Sequence, residues 1–447
     1  MSLQEKLTEL ATALEVPGVV AGVVHGDTTE IAVFGVTNVD HPLPVTEQTL
    51  FQFGSTGKTY TATALLVLAE QGLVDLHAPV RTYVPELTLK DEDVAAKVTV
   101  LQLLNHTAGW SGDVIPETGD GDDAVQKAVD KMVELDQVSP LGESVSYNNA
   151  SLVLAGHVIA KVTGKTYEQA IRDLVLEPLG MKSTYGFAKE IMTLSFSAGH
   201  NRTDGVVHTV RPWALPRSGA PAGGWTATIG DQLTWARFHL GLTDSTLLSD
   251  EARMSMTQPT AFMPGSALGD AVGISWLLTD QDGTLLVGHG GTTHGQHSDF
   301  VMVPEAGFAF VCMTNCGPTG PEVYTKLREW ALETYLGLKT EEPVLAECTA
   351  EELAQYAGTY TSAVADLSLV VESGRFVASI VMTDTSLLPE GEDPTQPPIP
   401  IAITAGEPDR YVVPEGEGKG MKGYFTRGDD GAVSGINLGG RHMTKVV

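Results

Sequence analysis

Apolar and polar positions change period several times along the chain, and each change marks an element. Met1 to Val16 alternates charged and apolar residues with the spacing of an amphipathic helix. Gly18 to His25 and Thr29 to Gly35 then read as two strands joined by a Gly26-Asp27 turn. From Thr59 to Gly72 the residues are helix formers, apolar nearly all round, and Gly72 ends the run. A helix without a polar face has to be buried. A long, mostly helical middle follows to about Leu240, broken by polar loops such as Ser111 to Asp123. Strands return at Thr284 to Gly288, Ser298 to Pro304 and Phe308 to Asn315, and Pro321 to Leu336 reads as an amphipathic helix with Trp330 and Tyr335 on its apolar side. Strands at both ends of this region imply one sheet built from both.

Gly337 to Ala350 is polar and contains Pro343, and beyond it short strands alternate with Gly, Asp and Pro turns. The strands expected there are Gly358 to Ser362, Leu367 to Glu372, Arg375 to Met382, Ile399 to Thr404, Tyr411 to Pro414 and Gly423 to Thr426. They suggest a small closed antiparallel barrel. The chain therefore divides into a first domain over residues 1–338, a linker over 339–350 and a barrel over 351–447. A length of 447 residues, more than one core usually serves, agrees with that division.

Composition narrows the partners. Hydrophobic residues make up 42% and charged residues 19%, which fits a folded chain and excludes a disordered or collagen-like one. Acidic residues outnumber basic ones 56 to 27, for a formal charge of -29, so nucleic acid and anionic membrane surfaces are repelled. Solubility is the expected role of that acidity. The N-terminus has no basic start with an apolar core, and no apolar run approaches the roughly 20 residues of a membrane span, so a cytoplasmic location is expected. Cys312, Cys316 and Cys348 are too few for a disulfide framework, and core packing is the expected role of Cys312 and Cys316. The loop Ser111 to Asp123 holds five acidic residues without the ligand spacing of an EF-hand. It reads as a solvated loop that could wall a site.

Three short motifs carry chemistry. Ser55-Thr56-Gly57-Lys58 precedes the buried helix, so Ser55 and Lys58, three apart, share a face of its first turn. The positive end of the helix and partial burial both disfavour a charged lysine, leaving Lys58 able to accept the Ser55 proton. An S-x-x-K match occurs about once by chance in a chain this long, so it is weak by itself. Tyr147-Asn148-Asn149 stands ahead of a helix from Leu152 to Val162, with the tyrosine hydroxyl placed to face a cleft. Gly288-His289-Gly290-Gly291-Thr292 closes a strand, where glycines admit a substrate backbone and leave amide N–H groups to donate. His289, His294 and His297 can also be read as zinc ligands, but no acidic partner motif accompanies them. His294 and His297 are expected to be structural or to line the pocket.

In this order and local context, the three motifs resemble the serine β-lactamase, penicillin-binding-protein, D-aminopeptidase and carboxylesterase superfamily, whose S-x-x-K, Y-x-N and H-x-G motifs they match. Leu103-Leu104-Asn105-His106-Thr107-Ala108-Gly109, Glu177-Pro178-Leu179-Gly180-Met181, Pro221-Ala222-Gly223-Gly224 and Gly273-Ile274-Ser275-Trp276 look like further landmarks of it, extending the resemblance over roughly residues 10 to 335. It implies an α/β (α+β) catalytic domain, an antiparallel sheet flanked by helices with a helical region beside it, and a lipocalin-like barrel after it. It also implies an acyl-enzyme route without metal or organic cofactor. Ser55 attacks a carbonyl, Lys58 and Tyr147 move protons, the amides of Ser55 and Thr292 hold the oxyanion beside Gly291, and Asn149 bonds the substrate or Lys58.

His289 departs from the lysine that lactamases and cell-wall peptidases carry, and points towards esterase or aminopeptidase-like relatives. His106 and the Gly223-Gly224-Trp225 turn are expected to shape the fold, with Trp225 lining the cleft. Arg441, near the chain end, could reach a substrate carboxylate, although an exposed salt bridge on the barrel rim is the expectation. The leading reading is hydrolysis or transfer of an acyl group from a small-molecule or peptide-like ester or amide, including D-residue-containing ones. Two others are a thioesterase-like enzyme that releases or cyclises peptides from a carrier protein, and a silent scaffold that keeps the fold. An acidic carrier would meet repulsion from a chain at -29.

Overall fold

The computed structural model describes residues 1–113, 115–372, 375–383, 393–416 and 418–446. Helix α1, Leu3–Ala13, is opened by a capping box between Ser2 and Glu5, which satisfies its first amides. Strands β1, Gly18–His25, and β2, Thr28–Gly35, follow as an antiparallel hairpin.

β1 lies between β2 and the strand Phe308–Thr314, and the sheet continues antiparallel through His297–Val303, Thr284–Gly288, Leu277–Gln281, Gly269–Val272 and Ala261–Ser266. Residues 18–35 and 261–314 thus meet in one sheet. β1 is buried on both faces because alternate residues enter different cores. Val19, Ala21 and Val23 pack with Leu3, Leu7 and Leu10 of α1 and with Leu327 of the helix Thr319–Ala331. Val20 and Val24 face the larger core, which includes Leu233 and Phe238 of the helix Ile229–His239 and the apolar side chains of α2, Lys58–Glu70.

The structure adds strands that the apolar pattern does not announce. Thr184–Tyr185, His200–Thr203, Val206–Thr209 and Thr226–Ala227 form parts of two small sheets within the region expected to be mostly helical. At two to four residues, each is too short to establish a period of its own.

Eight strands from Gly358–Thr361 to Arg441–Val446 close into a barrel around Tyr360, Phe376, Tyr411 and Phe425. Its last two strands, Val433–Leu438 and Arg441–Val446, were not expected. Polar residues and Gly435 obscure their alternation. That glycine is required by packing, since a Cβ there would lie 2.4 Å from the His442 ring.

The barrel docks on the region that precedes it. Tyr424 packs against Val145, Met263, Val272 and Leu277, and Ser266 Oγ donates to Asn437 Oδ1 at 3.3 Å. The turn between the last two strands reaches further, into the loop that carries Tyr147.

Behind the sheet, His239 sits buried among the rings of Trp235, Phe238 and Trp276. Burial pushes its pKa from 6.5 down to about 3, and neither ring nitrogen has a partner among the described residues. The unfolded chain therefore takes up this proton first. The stability of the neutral ring is complete above pH 6.5 and is lost progressively as the pH falls towards 3, at up to about 1.4 kcal/mol per pH unit. His239→Phe, which keeps a ring there, should flatten the fall of the denaturation midpoint between those limits. An unchanged slope would contradict this.

Candidate active site

The strand Phe51–Gln52 runs into a tight 3-10 turn, Gly54–Gly57, and α2 starts at Lys58. Gly54 has φ +53°, and a Cβ there would lie 2.6 Å from the Thr292 amide nitrogen, so only glycine fits. A Cβ on Gly291 would lie 2.0 Å from Phe53 O and 2.7 Å from Ser55 N. These two glycines bring the amides of Ser55 and Thr292 to the same spot. Thr56 ties the turn down: its Oγ1 donates to His289 O at 2.9 Å and lies 3.2 Å from Ser298 Oγ, which donates to Phe53 O at 2.8 Å. Sequence reasoning passed over Thr56, whose place inside S-x-x-K was its only signal.

Lys58 is fully buried. Its Nζ lies 3.0 Å from Ser55 Oγ and donates to Ala222 O at 2.6 Å. Burial holds its pKa well below 10.5, and the Arg441 charge pushes the same way against a smaller pull from Asp113. The sequence implied partial burial; the helix is enclosed from Lys58 to Leu68, so burial is complete.

The Tyr147 ring lies 4.9 Å from Lys58 Nζ and 5.1 Å from the Arg441 guanidinium carbon. Burial raises its phenol pKa, with Ser55 close enough to offset part of the rise by hydrogen bonding. Tyr147 is therefore a protonated phenol beside Ser55. Asn148 caps the helix Asn149–Thr163 by accepting from Ser151 N at 2.8 Å. Of the two partners expected for Asn149, Lys58 is not the one it meets: its Nδ2 donates to Asp113 O at 3.2 Å, while the Nζ of Lys58 is directed to Ser55 and Ala222.

His289 is buried, its Nδ1 lies 2.6 Å from Gly290 O, and its Nε2 has no partner among the described residues. Burial and the nearby Lys58 lower its pKa to about 3, so the ring is neutral. His297 Nδ1 lies 3.2 Å from Thr292 Oγ1, and His294 Nδ1 lies 2.8 Å from Pro212 O. Among the described residues no group of three His, Cys, Asp or Glu is placed to hold a metal ion.

Two expectations change. Trp225 does not line the cleft: it is 1% exposed, donates to Tyr167 Oη at 3.3 Å, and packs where Gly57 and Gly186 leave room for its ring. Arg441 does form a salt bridge, with its side chain 38% exposed, but to a partner outside the barrel. It reaches over Tyr147, and its Nε donates to Asp113 Oδ1 at 2.6 Å. Asp113 belongs to the acidic loop, which Arg217 secures through Asp120 O, Asp122 and the buried Glu168. Two surface hollows of about 450 and 600 Å³ share no residue with this site.

A serine beside a buried lysine, a phenol next to them and a strand-edge amide define a serine hydrolase site. The beta-lactamase family model matches residues 3–334, and the chain belongs to that family of serine hydrolases. Penicillin-binding protein 4 of Amycolatopsis lactamdurans is 31% identical over 371 residues, covering 80% of this chain and 96% of that protein. The structure of SurE with D-Leu covers 99% of this chain and 98% of its own at 22% identity and a TM-score of 0.78, so the likeness of fold includes the barrel. The D-amino acid amidase of Ochrobactrum anthropi SV3 is 28% identical, covering 74% of this chain and 98% of its own, with a TM-score of 0.63.

Gly291→Ala should leave the protein folded but displace the Ser55 amide, lowering acylation by about 100-fold or more, on the order of losing one oxyanion donor. Stopped-flow measurement of the acylation step tests this. A loss under about threefold would contradict the placement.

Proposed function

We propose that the protein is an amidohydrolase acting through an acyl-serine at Ser55, on peptide-like substrates that contain a D-residue. The observation that carries the reading is the 3.0 Å approach of a fully buried Lys58 Nζ to Ser55 Oγ. Lys58 takes the hydroxyl proton as Ser55 Oγ bonds to the amide carbon. The carbonyl π pair moves onto oxygen, where the amides of Ser55 and Thr292 stabilise it. As the C–N bond breaks, Tyr147 gives its proton to the leaving amine and recovers one from Lys58. Water then adds to the ester, and the reverse proton path frees the acid and Ser55.

The likeness to a D-amino acid amidase supports an amide substrate and a D-residue. Arg441 supports a carboxylate on that substrate: Nε and Nη1 are engaged by Asp113 and Gly439 O, and Nη2 makes no bond among the described residues. A neutral His289 offers no charge for that purpose. Arg441 supplies it from the barrel.

Intact-mass analysis after mixing with p-nitrophenyl esters and with D- and L-amino-acid amides tests the chemistry. An adduct that disappears in Ser55→Ala, with D-amides turned over faster than L, is expected; no adduct and no turnover across the panel would overturn it. Arg441→Gln should lower kcat/KM for a substrate with a free carboxylate at least about tenfold more than for its amidated analogue, the equivalent of about 1.4 kcal/mol. Equal losses on both would remove Arg441 from substrate binding.

A further inference from the structure

Three consecutive amides fix the backbone of Tyr147, and two of them end on one residue. Ser146 N donates to His106 O at 3.0 Å, and Asn148 N donates to His106 Nδ1 at 3.2 Å. Tyr147's own amide donates to Gly440 O of the barrel turn at 2.9 Å. The imidazole also packs on the phenol, with ring centroids 4.5 Å apart and planes inclined by 38°. His106 thus holds the tyrosine on both sides in sequence and along one side of its ring.

Other features of His106 suit a fitted part. Its backbone has φ +60°, a left-handed conformation that histidine and asparagine tolerate better than most residues. It is 1% exposed, and because Nδ1 accepts from Asn148, the neutral ring carries its proton on Nε2, which has no partner among the described residues. Burial and the neighbouring Lys58 hold it neutral, which keeps Nδ1 able to accept.

From this geometry we infer that His106 is a positioning residue for Tyr147, fixing the phenol where it can hand a proton to the leaving amine. The inference rests on the role given to Tyr147 above. Its test separates the two by changing the leaving group while keeping the acyl part. A p-nitrophenolate departs without a proton, whereas an amine has to receive one.

Tyr147→Phe should therefore lower kcat/KM on the D-amino-acid amide at least about tenfold more than on the matching p-nitrophenyl ester. His106→Ala should give a split of the same sign and at least about fivefold. His106→Asn, whose Oδ1 can stand in for Nδ1 and whose backbone suits φ +60°, should return the ratio to within about threefold of the parent. Ester turnover reports folding in every variant; should His106→Ala fold too poorly to assay, His106→Gln, with its acceptor one bond too far out, replaces it. A split in Tyr147→Phe without one in His106→Ala would overturn the positioning role and leave Tyr147 in place. No split in Tyr147→Phe would overturn the proton-donor role and this inference with it.

Discussion

An amino group carried wholly into a protein interior must find a counter-ion or give up its proton, because an unpaired buried charge costs several kcal/mol. Lys58 is in that position. Its donor contacts are a serine hydroxyl and the carbonyl of Ala222, and the nearby carboxylate of Asp113 is already engaged by Arg441. Each unit by which the pKa drops is about 1.4 kcal/mol of cost avoided in the charged form. Enclosing the lysine disfavours its charged form, and much of the surrounding structure serves that enclosure. α2 is apolar nearly all round because it must be covered all round, and the segment Ala220–Gly223 closes over its first turn to bring the Ala222 carbonyl within reach.

The second constraint is that the site has two origins. The region before the barrel supplies Ser55, Lys58 and the strand-edge amide of Thr292; the barrel supplies the carbonyl that receives the Tyr147 amide and the guanidinium above its ring. Residues 113 and 441 meet across nearly the whole chain. His442 N, donating to Ser146 Oγ at 3.2 Å, adds a further tie between the turn and the tyrosine loop. Barrel docking is thereby coupled to the environment of Lys58, since Arg441 acts on it electrostatically.

Local features were legible in the sequence. The β1–β2 hairpin, the enclosed α2 and the barrel's early strands each carry a period or a turn signal long enough to read. Ser55, Lys58, Tyr147 and His289 sit in short motifs whose spacing survives folding, and the structure brings them together. What was missed depends on contacts distant in sequence. Trp225 beside two glycines looks like an exposed turn aromatic, yet Gly57 and Gly186, far away in the chain, leave the space that buries it. Asp113 looks like one acid among five until Arg441 arrives from 328 residues later. His106 shows its grip on Tyr147 only once a loop 40 residues on has folded back against it, and no periodicity encodes that.

The most direct test of the central claim is the protonation state of Lys58 itself, read from the 15N chemical shift of its Nζ across a pH titration, with Lys58→Arg to assign the signal. The account predicts a neutral-amine shift throughout the pH range of turnover, with a transition well below those of the surface lysines. An ammonium shift that titrates together with the surface lysines would contradict it, and the base would have to be sought elsewhere.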